Sequence, residues 1–183
     1  MRFFTNAILM LTVLAFAVSG CKKDEGPSNY LQIGDSIITL SGGNIKYYGL
    51  YSQENSTYDF DIDLVSKDIT LSTDDAGKPV YTGVGTRIYF ETYSTEKAAP
   101  ADGEYTYLDD GSYSNLTYDW CFYAKDYDWA HGSWTPNDIQ TGTLTVKKIS
   151  GDYIIDFLGT DVYDVPVKLH YKGTLNFYIQ EQK

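Results

Sequence analysis

The residues from Val165 to Ile179 alternate without a break. Val165, Val167, Leu169, Tyr171, Leu175, Phe177 and Ile179 share one phase with Gly173, while Pro166, Lys168, His170, Lys172, Thr174, Asn176 and Tyr178 fill the other. A period of two marks a strand with one buried face, because successive side chains of an extended chain point to opposite sides. A strand of this length would run roughly 50 Å, well past the usual extent. The chain is therefore expected to bend at Gly173, where no Cβ obstructs a kink. A strand that bends and keeps its phase suits a barrel corner or a sandwich strand that changes sheets.

The same period recurs upstream. In Thr57–Ser66, Tyr58, Phe60, Ile62 and Leu64 face one way and Asp59, Asp61 and Asp63 the other, which predicts a packed face and a solvated acidic face. In Arg87–Tyr93, Ile88 and Phe90 are expected inward, Arg87 and Glu91 outward. Leu116, Tyr118, Trp120 and Phe122 alternate on one phase. Tyr30–Ile33 and Ser36–Leu40 flank the tight turn Gly34-Asp35, and Thr141–Val146 and Tyr153–Leu158 form a second hairpin about Ser150-Gly151-Asp152. Ser41-Gly42-Gly43-Asn44 reads as another turn, and Asp126–Asp138 as the longest irregular stretch. No helical period occurs after residue 28. These features predict an all-β domain, an antiparallel β-sandwich or flattened β-barrel built from a strand meander. A barrel lumen would have room for a small apolar ligand.

The N-terminal stretch reads differently. Arg2 precedes an apolar run from Ala7 to Val18, broken only by Thr12, and the small residues Ser19 and Gly20 lead into Cys21. That is the layout of a secretory signal peptide, and the run is short of the roughly 20 apolar residues a spanning helix needs. Val18-Ser19-Gly20-Cys21 resembles the lipobox of bacterial lipoproteins, which implies lipidation of Cys21 and a membrane anchor. Three acyl chains would hold firmly, since each buried CH₂ contributes about 0.8 kcal/mol. Lys22-Lys23-Asp24-Glu25 resembles the lysine-plus-acidic tether of Bacteroidetes surface lipoproteins, which implies the outer membrane and exposure at the cell surface. The expected organisation is a signal peptide over 1–20, lipidated cysteine and tether over 21–28, and one domain over 29–183. The layout also resembles the small all-β lipoproteins of gut Bacteroidetes.

Removing residues 1–20 takes away Arg2 and no acid, so the net charge moves from −11 to −12. Phosphate binding needs a basic surface, so nucleic acid is not an expected partner. With Cys21 lipidated, Cys121 has no intrachain partner and reads as a small buried apolar side chain. No metal and no cofactor are expected. An EF-hand begun at Asp59 or Asp126 would need glycine at the sixth position and glutamate at the twelfth, and neither segment supplies them. The loop aspartates Asp74, Asp75, Asp109 and Asp110 leave calcium open. With two histidines and no free cysteine pair, zinc is not expected, and His170 reads as a solvated strand residue.

The first candidate binding site is the aromatic set Tyr123, Tyr127, Trp129 and Trp134, since sugar recognition stacks aromatic faces on pyranose rings beside acids and amides. The competing reading folds that loop back so that its tryptophans plug one end of the core. The expected function is non-catalytic binding of a glycan or a protein, the alternative an accessory subunit of an outer-membrane complex. Gly34-Asp35-Ser36-Ile37 resembles the nucleophile block of GDSL-type esterases, and Asp128-Trp129-Ala130-His131 matches that family's Asp-x-x-His. The resemblance implies a Ser36 hydrolase on an α/β/α scaffold, for which this chain shows no helices. Asp35-Ser36-Ile37 also resembles the O-glycosylation site of Bacteroidetes, which implies modification of Ser36. Substituting Cys21→Ala should move the protein from the membrane to the soluble fraction after ultracentrifugation; retention in the membrane would count against the anchor.

Overall fold

Eleven strands form among the described residues, and their order explains how so many short apolar runs share one core. They are β1 (Tyr30–Ile33), β2 (Ser36–Ser52), β3 (Thr57–Ser66), β4 (Ile69–Thr73), β5 (Pro79–Ser94) and β6 (Gly103–Tyr107), then β7 (Thr117–Asp128), β8 (Asn137–Ile149), β9 (Asp152–Asp161), β10 (Pro166–Gly173) and β11 (Asn176–Ile179). The computed structural model describes residues 28–132 and 134–180, so Cys21, the signal stretch and the tether before Ser28 lie outside the described residues.

The strands run β1-β10-β9-β8-β6-β7-β5-β3-β2, and β2 pairs back onto β1, closing a nine-strand mixed barrel. Of the two expected architectures, the barrel is the one formed. Closure removes the exposed edges that an open sheet would leave. Within the ring only β6 and β7 are parallel. β4 pairs with β5 outside the ring, and β11 lies parallel to β2 along the stretch of β2 that β1 does not reach.

The lumen is filled by side chains. Leu31, Ile45, Phe60, Ile62, Leu64, Ile88 and Phe90 from one side meet Tyr105, Tyr118, Leu144, Ile155 and Val167 from the other, all fully buried. Cys121 belongs to this core, where burial pushes its thiol well above the usual value. The space expected for an apolar ligand is thus occupied by the chain itself.

Several expectations change at bulges. Ser41–Asn44 is not a turn; β2 runs through it with a register shift between Leu40 and Gly42. Strand β7 continues to Asp128, so the irregular stretch shortens to 129–136. In β7, Glu91 pairs with Trp120 but Thr92 with Tyr118, leaving Asp119 as an extra residue. A bulge of this kind inverts the phase downstream. Tyr118, Cys121 and Tyr123 therefore face inward, whereas Trp120 and Phe122, expected on the same face as Tyr118, face outward. At the C-terminus the single bent strand expected over 165–179 is instead broken after Gly173 into β10 and β11, and the phase does not survive the crossing: Leu175 is buried while Phe177 and Ile179 are exposed.

Gly43 shows how tightly β2 and β3 approach. A Cβ there would fall inside the van der Waals shell of the Asp63 carbonyl, whereas one on Gly42 would meet nothing. Gly43→Ala is expected to cost about 1–3 kcal/mol in denaturant unfolding and Gly42→Ala much less; equal losses would show that the approach is not what makes Gly43 necessary.

Candidate functional site

The phase of β3 is as the sequence predicts, with Phe60, Ile62 and Leu64 inward, but the acidic face is not solvated. Asp59, Asp61 and Asp63 are only 5%, 3% and 7% exposed. The reason lies on the neighbouring strands, whose outward side chains are long enough to fold over the short aspartates. Cross-strand register sets the contacts. One row runs Lys46, Asp61, Glu91, Trp120 across β2, β3, β5 and β7, and the next runs Asn44, Asp63, Tyr89, Phe122.

Each acid on these rows is answered differently. Asp61 accepts hydrogen bonds from the Tyr48 hydroxyl at 2.8 Å and the Tyr89 hydroxyl at 2.5 Å, and its Oδ2 lies 3.3 Å from Lys46 Nζ. Asp63 holds Arg87 in a two-point pair, Nη2 donating to Oδ2 at 2.8 Å and Nε to Oδ1. That geometry is the strong form of the carboxylate–guanidinium contact. Arg87, expected in water, is instead ringed by Tyr89, Phe122, Tyr127 and Trp129, with 5.0–5.6 Å from its Cζ to their ring centroids. The Tyr93 hydroxyl lies 2.9 Å from Glu91 and 3.2 Å from Asp119. Asp59 differs: its Oδ1 is buried without a hydrogen-bond partner.

Crowding of acids shows in their protonation. Burial, helped by Glu91, Asp61 and Asp119, pushes the Asp59 carboxyl from 3.8 up to about 8, against the pull of Lys46. Burial likewise raises Asp61, Glu91 and Asp119, and their tyrosine hydrogen bonds oppose it.

The four aromatic residues expected to form a binding loop separate. Tyr123 faces the barrel interior, where its hydroxyl donates to Asp161 at 2.8 Å. Tyr127 and Trp129 roof Arg87, and Trp134 lies against the rings of that roof. Trp129 stacks on Tyr81 at 4.0 Å and 14°, with its Nε1 buried and unpartnered, and packs on Tyr127 at 4.4 Å. Trp134 packs on Phe122 at 4.8 Å and on Tyr127 at 5.6 Å. The loop has folded back, but over the outer wall of the barrel and not into one end of its core.

The exposed tryptophan is Trp120, 47% accessible, with Tyr89 packed edge-on at 5.3 Å. It stands between two recesses. One, of about 190 Å³, is lined by Lys46, Tyr48, Asp61, Arg87 and Trp134 among others. The second, of about 440 Å³, is lined by Tyr107, Asp109, Asp119, Asp138 and Gln140. Sequence reasoning missed Trp120 by setting it in phase with Tyr118. The signal against that phase was Cys121, an apolar residue on the supposedly wet side.

Other candidates are placed as follows. Ser36 is exposed at the start of β2. Asp128 and His131 pair at 2.7 Å, but among the described residues no hydrogen bond joins either to Ser36, so the esterase-like triad is not assembled. His170 is not simply solvated: it lies opposite Asp156 on β9 and bonds to it at 2.7 Å. Asp74 and Asp110 accept hydrogen bonds from backbone N–H groups of their own turns. No family model, no curated protein and no solved structure matches this chain.

Asp59 yields a test of the wall's energetics. Between pH ~4 and ~8 the folded protein keeps a proton on Asp59 that the unfolded chain has lost. Stability must therefore fall as pH rises through that window. Asp59→Asn keeps the shape and removes the titration, so its thermal midpoint should fall less steeply than that of the parent across the window. Parallel curves would mean that Asp59 ionises normally.

Proposed function

We propose that this chain is a membrane-anchored, surface-exposed lipoprotein whose barrel binds a glycan without catalysis, through the outer wall of β2, β3, β5 and β7. The anchor rests on Val18-Ser19-Gly20-Cys21 and the charged tether after it. The binding site rests on one observation above all: Trp120 is exposed between two polar recesses, while Trp129 and Trp134 are held against the protein. An indole face supplies a rigid apolar platform for a pyranose ring, and the flanking carboxylates, hydroxyls and Gln140 supply partners for its hydroxyls. Asp61 and Glu91 lie directly opposite in register, and two facing carboxyl groups are also what a glycosidase uses. Asp61 is buried, however, and both its oxygens are occupied by tyrosine hydroxyls, which favours a structural acceptor over a nucleophile.

A second reading, an accessory subunit docking on a protein, is favoured by Tyr163 and Val162, which are 75% and 47% exposed at the β9–β10 turn.

Glycan-array screening of the full-length protein in non-ionic detergent tests the first reading. Trp120→Ala should weaken binding on the order of tenfold or more with little change in thermal midpoint, whereas Trp129→Ala should lower the midpoint. Undiminished binding in Trp120→Ala would remove the wall as the site, and loss of a protein partner in Tyr163→Ala would favour the second reading.

A further inference from the structure

Lys46 on β2 stands directly opposite Asp61 on β3, and Asp61 stands directly opposite Glu91 on β5. An amine, a carboxyl group and a second acid on three neighbouring strands are the parts needed to join two side chains by an amide bond. Whether they can react depends on contact, on what polarises the carboxyl group, and on where the protons go.

Contact is close. Lys46 Nζ lies 3.3 Å from Asp61 Oδ2, and the two side chains are 24% and 4% exposed. Nζ also rests over the Tyr48 ring, 4.7 Å from its centroid. Reacting atoms need to approach to about 3–3.5 Å, and a partner already held at that range has little entropy left to lose. Cross-strand register holds these two groups together for as long as the barrel is folded.

The carboxyl group is prepared from both sides. The Tyr89 hydroxyl donates to Oδ1 at 2.5 Å and the Tyr48 hydroxyl to Oδ2 at 2.8 Å. A donor aimed at Oδ1 stabilises the negative charge that develops there when the carbon is attacked. Burial raises the Asp61 carboxyl, against its hydrogen bond from Tyr89 and the pull of Lys46, which brings the protonated, electrophilic form within reach. Burial raises Glu91 as well, and the charge of Lys46 is felt there. The Tyr93 hydroxyl fixes Glu91 at 2.9 Å. A plain ion pair between Lys46 and Asp61 has no use for Glu91, because like charges directly opposite destabilise a sheet. A reaction that moves protons from amine to carboxyl group does.

We propose that Lys46 and Asp61 condense to an isopeptide bond, with Glu91 carrying the protons between them. Glu91 takes a proton from the Lys46 ammonium, and the free amine attacks Asp61 Cγ. The Nζ–Cγ bond forms while Tyr89 steadies the charge on Oδ1. The Cγ–Oδ2 bond then breaks and Oδ2 leaves as water. Both protons of that water come from Nζ through Glu91, which ends as it began, and the amide keeps the third. One positive and one negative charge vanish together, and no oxidant, reductant or other co-reactant is needed. The recess of about 190 Å³ lined by Lys46 and Asp61 gives the water a way out. The bond closes the β2–β3 hairpin covalently and constrains the unfolded chain as a disulfide would. Among the described residues no disulfide does this, since Cys121 is free. This inference is independent of glycan binding.

Tryptic digestion of the denatured full-length protein, read by mass spectrometry, tests the bond. Trypsin does not cut after an acylated lysine, so residues 24–67 should appear as one peptide, lighter by one water than its sequence. Lys46→Arg, which cannot form the bond, should give separate peptides 24–46 and 47–67 and show that the position is otherwise cleavable. Glu91→Gln should yield about tenfold less of the joined peptide, or lower still, at a fixed time after synthesis. Separate peptides of full mass from the parent protein would overturn the bond. So would a lost water that maps to Asp102-Gly103 or Asp110-Gly111, where an aspartyl-glycine step can cyclise on its own. An undiminished joined peptide in Glu91→Gln would overturn the role of Glu91 and leave the bond standing. Should that variant not fold, the parent digest against Lys46→Arg decides the bond by itself.

Discussion

Three aspartates on one strand, buried on the outside of a barrel, impose the most demanding constraint on this structure. Moving a carboxylate out of water costs several kcal/mol unless it is paired and hydrogen-bonded. Asp61 and Asp63 meet that requirement through Tyr48, Tyr89, Lys46 and Arg87, which then cannot point freely into solvent. Arg87, once fixed, needs a roof, and Tyr127 and Trp129 from the β7 end and the loop after it supply one. The outer wall is thus a second packed layer, laid over the sheet whose inner face lines the barrel core. The chain's 18 tyrosines make sense in this light, because a phenol combines a large apolar ring with a hydroxyl able to reach a carboxylate.

Where that layer thins, function becomes possible. Phe122 and Trp134 close one part of the wall, but the row from Lys46 to Trp120 remains reachable from two sides. Its acids are buried and crowded at a cost, as the unpartnered Asp59 oxygen and the raised carboxyls show. A wall that crowds carboxyl groups beside an exposed indole is poorly optimised for stability alone. Local violations of good packing and charge pairing are the usual mark of a site kept for binding.

Much of the fold was legible in the residues themselves. The alternation in β3 and the hairpins about Gly34-Asp35 and Ser150-Gly151 stand as read. Each depends on local chemistry: side-chain period and turn residues. The candidate site was read less well. Trp129 and Trp134 were recognised as aromatic residues near acids, but the loop that carries them packs onto Arg87, a partner some forty residues away in the chain. Trp120 was given to the wrong face because the bulge at Asp119 depends on how β7 meets β5.

What the sequence determined by itself was the class of structure and the phase of strands without a bulge or break, such as β3, because period and turn chemistry act between near neighbours. Which faces meet water was left to the tertiary structure. A period of two states that Asp59, Asp61 and Asp63 share a side, but not what stands above that side. Only the pairing that sets β3 between β2 and β5, with β7 beyond, brings Tyr48, Tyr89 and Arg87 over the aspartates and leaves Trp120 at the edge of that cover.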